Sequence, residues 1–373
     1  MLQKVFIITL LCACVLVGIF CLVWLRSEKV NINSLVWETK FKTTIFAGLA
    51  KTLSFFVVDK PQTTILFLGD IMLDRGVEAQ MKKNGYDYPW QKIVLFLQGF
   101  DVVVANLEGP IVKNPPKLAG DPMQFAFSQE AGKAMAMAGI NLVSLANNHT
   151  LNMGQNGLLE TKDFLTQQSV IFLGDPIDCE KDSIFIKDNL VFLAFNQTFY
   201  FNCPSEKIIS IVAKANNDYP NNVLIVILHW GQEYEPVADK MQIDLAHSLV
   251  EAGADAVFGG HPHVSQNIEE YQPFGAAPAS AEASAGRQGR PIFYSLGNFI
   301  FDQYFSQETQ QSLAVAMEIY KNKVVYKLSP VGSNLSQPFV MQNQEKQEFL
   351  DSLASRSSEN IQKQIQQAFF IVK

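Results

Sequence analysis

The sequence predicts an α/β body behind an N-terminal membrane-spanning helix, and three observations carry that expectation. After Pro61, short apolar runs alternate with amphipathic stretches, which is the pattern of strands and helices wound in turn. Four of the five histidines, His149, His229, His261 and His263, stand where such apolar runs end. From Val5 to Leu25 the chain is almost purely apolar.

About 20 apolar residues suffice for a helix to cross a hydrocarbon layer roughly 30 Å thick, so residues 1–26 read as a single-pass membrane anchor. A cleaved signal peptide would end in small residues, whereas bulky Phe20, Val23, Trp24 and Leu25 run straight to Arg26. Cys21 follows Ile19 and Phe20, a poor lipoprotein cleavage site. Lys4 before the span and Arg26 and Lys29 after it leave its orientation open on charge alone. Residues 27–62 read as a juxtamembrane linker. Its apolar stretch Ile45–Val58, interrupted by Lys51, either lies on the bilayer as an amphipathic helix or packs on the body.

The body spans 63–337. Thr64 to Leu68 opens it as a strand that ends in Gly69 and Asp70. Further strands are expected over Val102–Ala105, Asn141–Leu145, Val170–Leu173, Leu190–Phe195, Val223–Leu228, Asp255–Phe258 and Ile292–Ser295. Val223–Leu228 is too apolar to be anything but buried, and Gly231 and Pro236 return the chain to a loop. Helices are expected over Gly154–Gln167, Glu206–Asn216 and Lys240–Ala252, the last with an apolar face of Met241, Leu245, Leu249 and Ala252. Between about 273 and 290 the composition turns to Ala, Ser, Gly and Pro, which cannot bury enough apolar surface to fold alone. Residues 338–373 read as a helical tail, packed on the surface or solvated.

The net charge of −7 and the lack of a basic patch exclude nucleic acid as a partner. Cys12, Cys14 and Cys21 lie in the apolar N-terminal run. Cys179 and Cys203 lie in the body, as two thiols or as one disulfide in an oxidising compartment.

Ligands of open α/β sheets bind where the strands end. There the chain offers Asp70, Glu108, Asn148, His229, His261 and His263, a mixed carboxylate, amide and imidazole set suited to one or two divalent ions such as Mn, Fe or Zn. Such ions would activate a water for attack on phosphorus or a carbonyl, with His149 as proton donor or oxyanion stabiliser. Each residue has a plainer reading too: Asp70 as a helix cap, Glu108 as a loop acceptor, Asn148 as a turn residue, the histidines as satisfied buried imidazoles. His247, mid-helix, takes the plainer reading. Asp74 and Arg75 either reach the site or form a salt-bridged first helical turn.

Six motifs in order, Gly69-Asp70-Ile71-Met72-Leu73, Asn106-Leu107-Glu108-Gly109, Ala146-Asn147-Asn148-His149, His229-Trp230-Gly231-Gln232-Glu233-Tyr234, Gly260-His261-Pro262-His263 and Ser295-Leu296-Gly297-Asn298-Phe299, resemble the CapA family. The resemblance implies a protein that makes or exports poly-γ-glutamate capsule, with the four-layer αββα β-sandwich of calcineurin-like metallophosphoesterases. It also implies a body outside the cytoplasm, with membrane capsule synthase subunits as partners. Against the wider metallophosphoesterase pattern Asp70 matches, but Met72 replaces a histidine ligand with a thioether poorly suited to hard ions, and Glu108 stands where an aspartate would bridge. Two classes of function therefore stand open. One is a metal-dependent hydrolase acting on a phosphoester or an anionic polymer; the other is a non-catalytic accessory subunit that binds the polymer through its metal.

Overall fold

The structure, a computed structural model, describes residues 60–116, 123–198, 203–274 and 289–372. The expected membrane anchor, nearly all of the linker, and most of the low-complexity insertion lie outside the described residues. Among the described residues no helix is long and apolar enough to cross a membrane.

Strand β1 (Thr63–Ile71) is buried along its last seven residues, so it reads as a continuous apolar run and not as an alternating one. It lies inside a sheet whose parallel neighbours are β2 (Val102–Leu107), β5 (Leu142–Ser144) and β6 (Ile171–Leu173). The short strands β3 (Ile111–Val112) and β4 (Phe127–Ser128) pair apart from it. The second sheet runs from β7 (Ile184–Lys187) through β8 (Leu190–Asn196), β9 (Val223–His229) and β10 (Ala256–Gly260) to β12 (Arg290–Phe293) and β11 (Ile268–Tyr271). β8, β9, β10 and β12 are mutually parallel. The first sheet is completed by β13 (Asn298–Ile300), β14 (Gln311–Ile319), β15 (Val324–Asn334), β16 (Gln337–Val340) and β17 (Phe369–Val372).

Side chains on opposite faces of each strand sort into separate cores. Ile65 and Phe67 face the second sheet and join Phe192, Ile225 and Phe258 in an inter-sheet core, where Phe67 and Phe258 stack with ring centroids 3.7 Å apart. Leu66 and Leu68 face the other way, toward helices α1 (Arg75–Asn84), α2 (Gln129–Ala138) and α3 (Gly154–Gln167) through Val77, Met135 and Leu165. On the far side Val191, Leu193 and Val226 meet Ile208 and Val212 of α4 (Ser205–Asp218) and Leu245 and Leu249 of α5 (Lys240–Glu251). The layers are therefore helix, sheet, sheet, helix. Burying each such aliphatic or aromatic side chain stabilises the fold by roughly 1.5–3 kcal/mol.

Local signals fix the helix starts. Asp74 caps α1, Ser128 caps α2, and Asp239 with Gln242 forms a capping box on α5. Cys179 and Cys203 are disulfide-bonded. The C-terminal stretch is more than a surface helix. α6 (Asn343–Arg356) buries Leu350 and Leu353 in the inter-sheet core, and β17 adds Phe370 and Val372 to it while pairing with β15.

Candidate metal centre

Because the central strands of both sheets run parallel, their C-terminal ends come to one edge. Asp70 is the register partner of Asn106 on one side and of Asn298 on the other, and Gly260 is the partner of His229. Glu108 follows β2, Asn148 and His149 follow β5, and His261 and His263 follow β10. The six expected ligands and His149 all lie at this edge, and Asp70 and Glu108 are fully buried.

Asn106 ties the set together. Its Nδ2 lies 2.9 Å from Asp70 Oδ1, 3.3 Å from Glu108 Oε2 and 3.2 Å from His229 Nδ1, so two hydrogens serve three acceptors. Asn147 in turn donates to Asn106 Oδ1 at 2.9 Å. With Nδ1 accepting, His229 presents Nε2 to Asn148 Oδ1 at 2.9 Å. His263 Nδ1 donates to Asn298 Oδ1 at 3.0 Å and stands 3.5 Å from Asp70 Oδ2, leaving Nε2 facing Glu108 Oε1 at 3.7 Å. His149 Nδ1 is held by Asn152 Oδ1 at 3.0 Å, and its Nε2 stands 3.9 Å from the same Glu108 oxygen.

Close approach is built into the backbone. A Cβ on Gly260 would lie 2.7 Å from Asp70 Oδ1, and His261 and His263 adopt φ of 94° and 60° in the tight turn that follows.

Burial and mutual charge set the protonation states. Glu108 is pushed well up by desolvation and then by the Asp70 charge, with His263 pulling back. His229 is held well down by burial and by His261. His261 is lowered to about 4 by burial and by His263, and His149 is lowered chiefly by burial. Burial also works against the charged form of His263, but the Glu108 and Asp70 carboxylates outweigh it and raise the group to about 9.

Three donor atoms, from Asp70, Glu108 and His263, lie within 4.8 Å of one another, as do three from Glu233, His261 and His263. Glu108 Oε1 and His261 Nδ1 are buried without a hydrogen-bond partner. Orphaned acceptors of this kind are costly, and a cation satisfies them. The donor set is thus suited to a divalent ion.

From residue 64 to residue 303 the chain matches the family of bacterial capsule synthesis proteins, PGA_cap. The chain belongs to this family. It is 28% identical over 278 residues to capsule biosynthesis protein CapA of Bacillus anthracis, covering 68% of this chain and 64% of that protein. It is 28% identical over 297 residues to PGA biosynthesis protein CapA of Bacillus subtilis (strain 168), covering 74% and 73% respectively. The match thus spans a little under two thirds of the Bacillus anthracis relative. A purple acid phosphatase from yellow lupin seeds superposes with a TM-score of 0.35 at 10% identity, over 74% of this chain and 53% of that one. So loose a likeness carries no argument about chemistry.

The family match contains every residue of the cluster, including Asn106, Asn147, Asn152, Glu233 and Asn298, to which the sequence alone assigns no role. Asn106, Asn147, Glu233 and Asn298 lie within the family motifs and Asn152 in none; nothing local marks any of them, since their role comes from tertiary placement. Met72 does not join the cluster. It is fully buried among Leu73 and Val77, and its Sδ accepts the Asp74 N–H at 3.1 Å. His247 pairs with Glu269 at 2.9 Å and stacks on Tyr271, away from the site.

Proposed function

We propose that this chain is a membrane-anchored, extracytoplasmic member of the capsule-synthesis family whose buried cluster holds one or two divalent ions and hydrolyses an anionic polymer or a phosphoester. One observation carries the reading: two fully buried carboxylates and a histidine offer donor atoms within 4.8 Å of one another, with Glu108 Oε1 orphaned. Asp70, Glu108, His261 and His263 would hold the ion, with Glu233 beside them and Asn148 and His229 adjacent. When bound, such an ion supplies Lewis acidity and lowers the pKa of water.

The chain's own residues do the rest. Asn106 and Asn298 orient Asp70, Glu108 and His263, as outer partners of ligands do. His149, neutral because burial lowers it, keeps its Nδ1 proton on Asn152 and offers the Nε2 lone pair to the site. That arrangement supports a proton acceptor for the attacking water in place of the donor expected from sequence. The Cys179–Cys203 disulfide supports an oxidising compartment, and the apolar run from Val5 to Leu25 supports a single-pass anchor beside the membrane subunits of a synthase.

The test pairs elemental analysis of manganese-loaded protein with hydrolysis of a chromogenic phosphodiester and of poly-γ-glutamate. Bound metal is expected, lost in Glu108→Gln, with turnover reduced at least about 100-fold in His149→Ala. Metal-free protein after loading would refute the centre. Metal without turnover above His149→Ala would favour a non-catalytic polymer-binding subunit, the reading that the absent donor at Met72 supports.

A further inference from the structure

Arg75 stands at the start of α1 with φ of 52°, a left-handed conformation costly for a residue with a Cβ. The surroundings fix it there from three sides. Asp74 accepts the Arg75 N–H at 2.6 Å and the Ala126 N–H at 2.8 Å. Asp302 takes the guanidinium Nη2 on one carboxylate oxygen and the Gly76 N–H on the other, at 2.9 Å. Gly76 admits no side chain, since a Cβ would lie 2.8 Å from that of Asp302.

The guanidinium so held lies over two rings, 4.8 Å from the centroid of Phe125 and 5.6 Å from that of Phe301. Those same rings touch the cluster: Phe125 lies 4.2 Å from the His149 ring and Phe301 lies 4.8 Å from the His263 ring. After the burial that dominates each group, the Arg75 charge also acts on Glu108, His149 and Tyr234. The side chain remains 27% exposed, so it faces both the cluster and solvent. A simple salt bridge between helix and loop does not require strained backbone, two ring contacts and a position beside the cluster together.

We infer that Arg75 is a substrate-binding residue that docks an oxyanion, phosphoryl or carboxylate, next to the bond that the site breaks. The inference rests on the hydrolase reading above and deepens it. A guanidinium presents a rigid planar fork of donors that matches either oxyanion, and Asp302 and the two rings hold that fork in place.

The experiment is calorimetric titration of the full chain in detergent, after manganese incubation, with inorganic phosphate and separately with a γ-glutamyl tripeptide. Arg75→Gln is expected to weaken binding of at least one probe about 10-fold or more, with metal content and melting temperature unchanged, and Arg75→Lys to recover part of the loss. Loss confined to phosphate assigns the subsite to an ester oxyanion, loss confined to the peptide assigns it to a polymer carboxylate, and loss of both assigns it to oxyanions in general. Affinities within twofold of the parent for both probes, or no binding of either by the parent, overturn the inference. Should Arg75→Gln fail to fold, the Arg75→Lys comparison alone decides. Metal content is read independently: a parent that binds phosphate through Arg75 yet holds no metal removes the hydrolase reading and leaves the oxyanion site standing.

Discussion

Stripping metal from the protein should make its stability fall as pH rises from about 6.5 to about 9. His263 is raised from 6.5 to about 9 against the pull of burial, because the Glu108 and Asp70 carboxylates favour its charged form. A histidine whose folded-state pKa lies above its unfolded value binds its proton more tightly when folded. Its contribution is therefore complete below about 6.5 and gone above about 9. At 1.36 kcal/mol per pKa unit the contribution is about 3 kcal/mol, and the side chain is only 3% exposed, so solvent screens little of it. For a body of this size that is about 5 °C in melting temperature. The net shift is opposite at His261, lowered to about 4 by burial and by His263, whose contribution is present above about 6.5 and lost as pH falls. On these two histidines alone the chelated protein should melt highest near pH 6.5, and Glu108, raised as well, adds to the loss as pH rises. Circular dichroism melts in excess chelator at pH 6.5, 8 and 9 read this directly, beside His263→Asn, which should show a shallower alkaline slope. Equal slopes in the parent and in His263→Asn would refute the reasoning, because the stability change would then come from elsewhere.

Three further outcomes follow from packing. Gly260→Ala drives a methyl group to 2.7 Å from Asp70 Oδ1, so a loss of about 1–3 kcal/mol in chemical denaturation, together with weakened metal retention, is expected. Phe67→Ala removes one ring of the stack that joins the two sheets and should cost about 3–5 kcal/mol, read from the urea midpoint; a cost below 1 kcal/mol would mean that the inter-sheet core is not packed as described. Opening the disulfide by Cys179→Ala releases a link across a sequence separation of 24 residues and should lower stability by about 3 kcal/mol, an effect that dithiothreitol reproduces in the parent and not in the variant.

How much of this was legible in the sequence depended on whether the signal was local. Parallel strands covered on both faces must be apolar at nearly every position, and Val223–Leu228 and Leu190–Phe195 announced themselves for that reason. Gly154–Gln167 has the same limits in sequence and structure because its apolar period is regular. The antiparallel strands β14 and β15, and the four-residue β17, carry mixed or brief alternation and went unassigned. The tail consequently read as a helix alone. In the site, histidines at strand ends were visible, since an imidazole after a buried run is unusual. Asn106 was not, because an asparagine there looks like any turn residue until Asp70, Glu108 and His229 close around it.

Met72 illustrates why a motif can preserve a position and lose its chemistry. β1 ends at Ile71, so residue 72 lies beyond the paired strand and the strand's alternation does not carry it to the face of Asp70. Ile71, Met72 and Leu73 all enter the core beneath the helices, so the thioether is withdrawn from the edge and not merely a weak donor at it. Glu233, near His261 and His263, is the carboxylate available on the other side. On the proposed reading the two donor groups are then not independent, because both use His263 and its Nδ1 is committed to Asn298. A single Nε2 lone pair binds one ion, so Asp70, Glu108, Glu233, His261 and His263 belong to one centre. A second ion would have to rely on Asn148 and His229, whose Oδ1 and Nε2 stand 2.9 Å apart, and would have to displace the proton that His229 Nε2 donates to Asn148. The first position thus has a carboxylate-rich set and the second a neutral one. Dilution of the loaded protein should empty the Asn148–His229 position first, since neutral donors hold a hard divalent ion less tightly than carboxylates do.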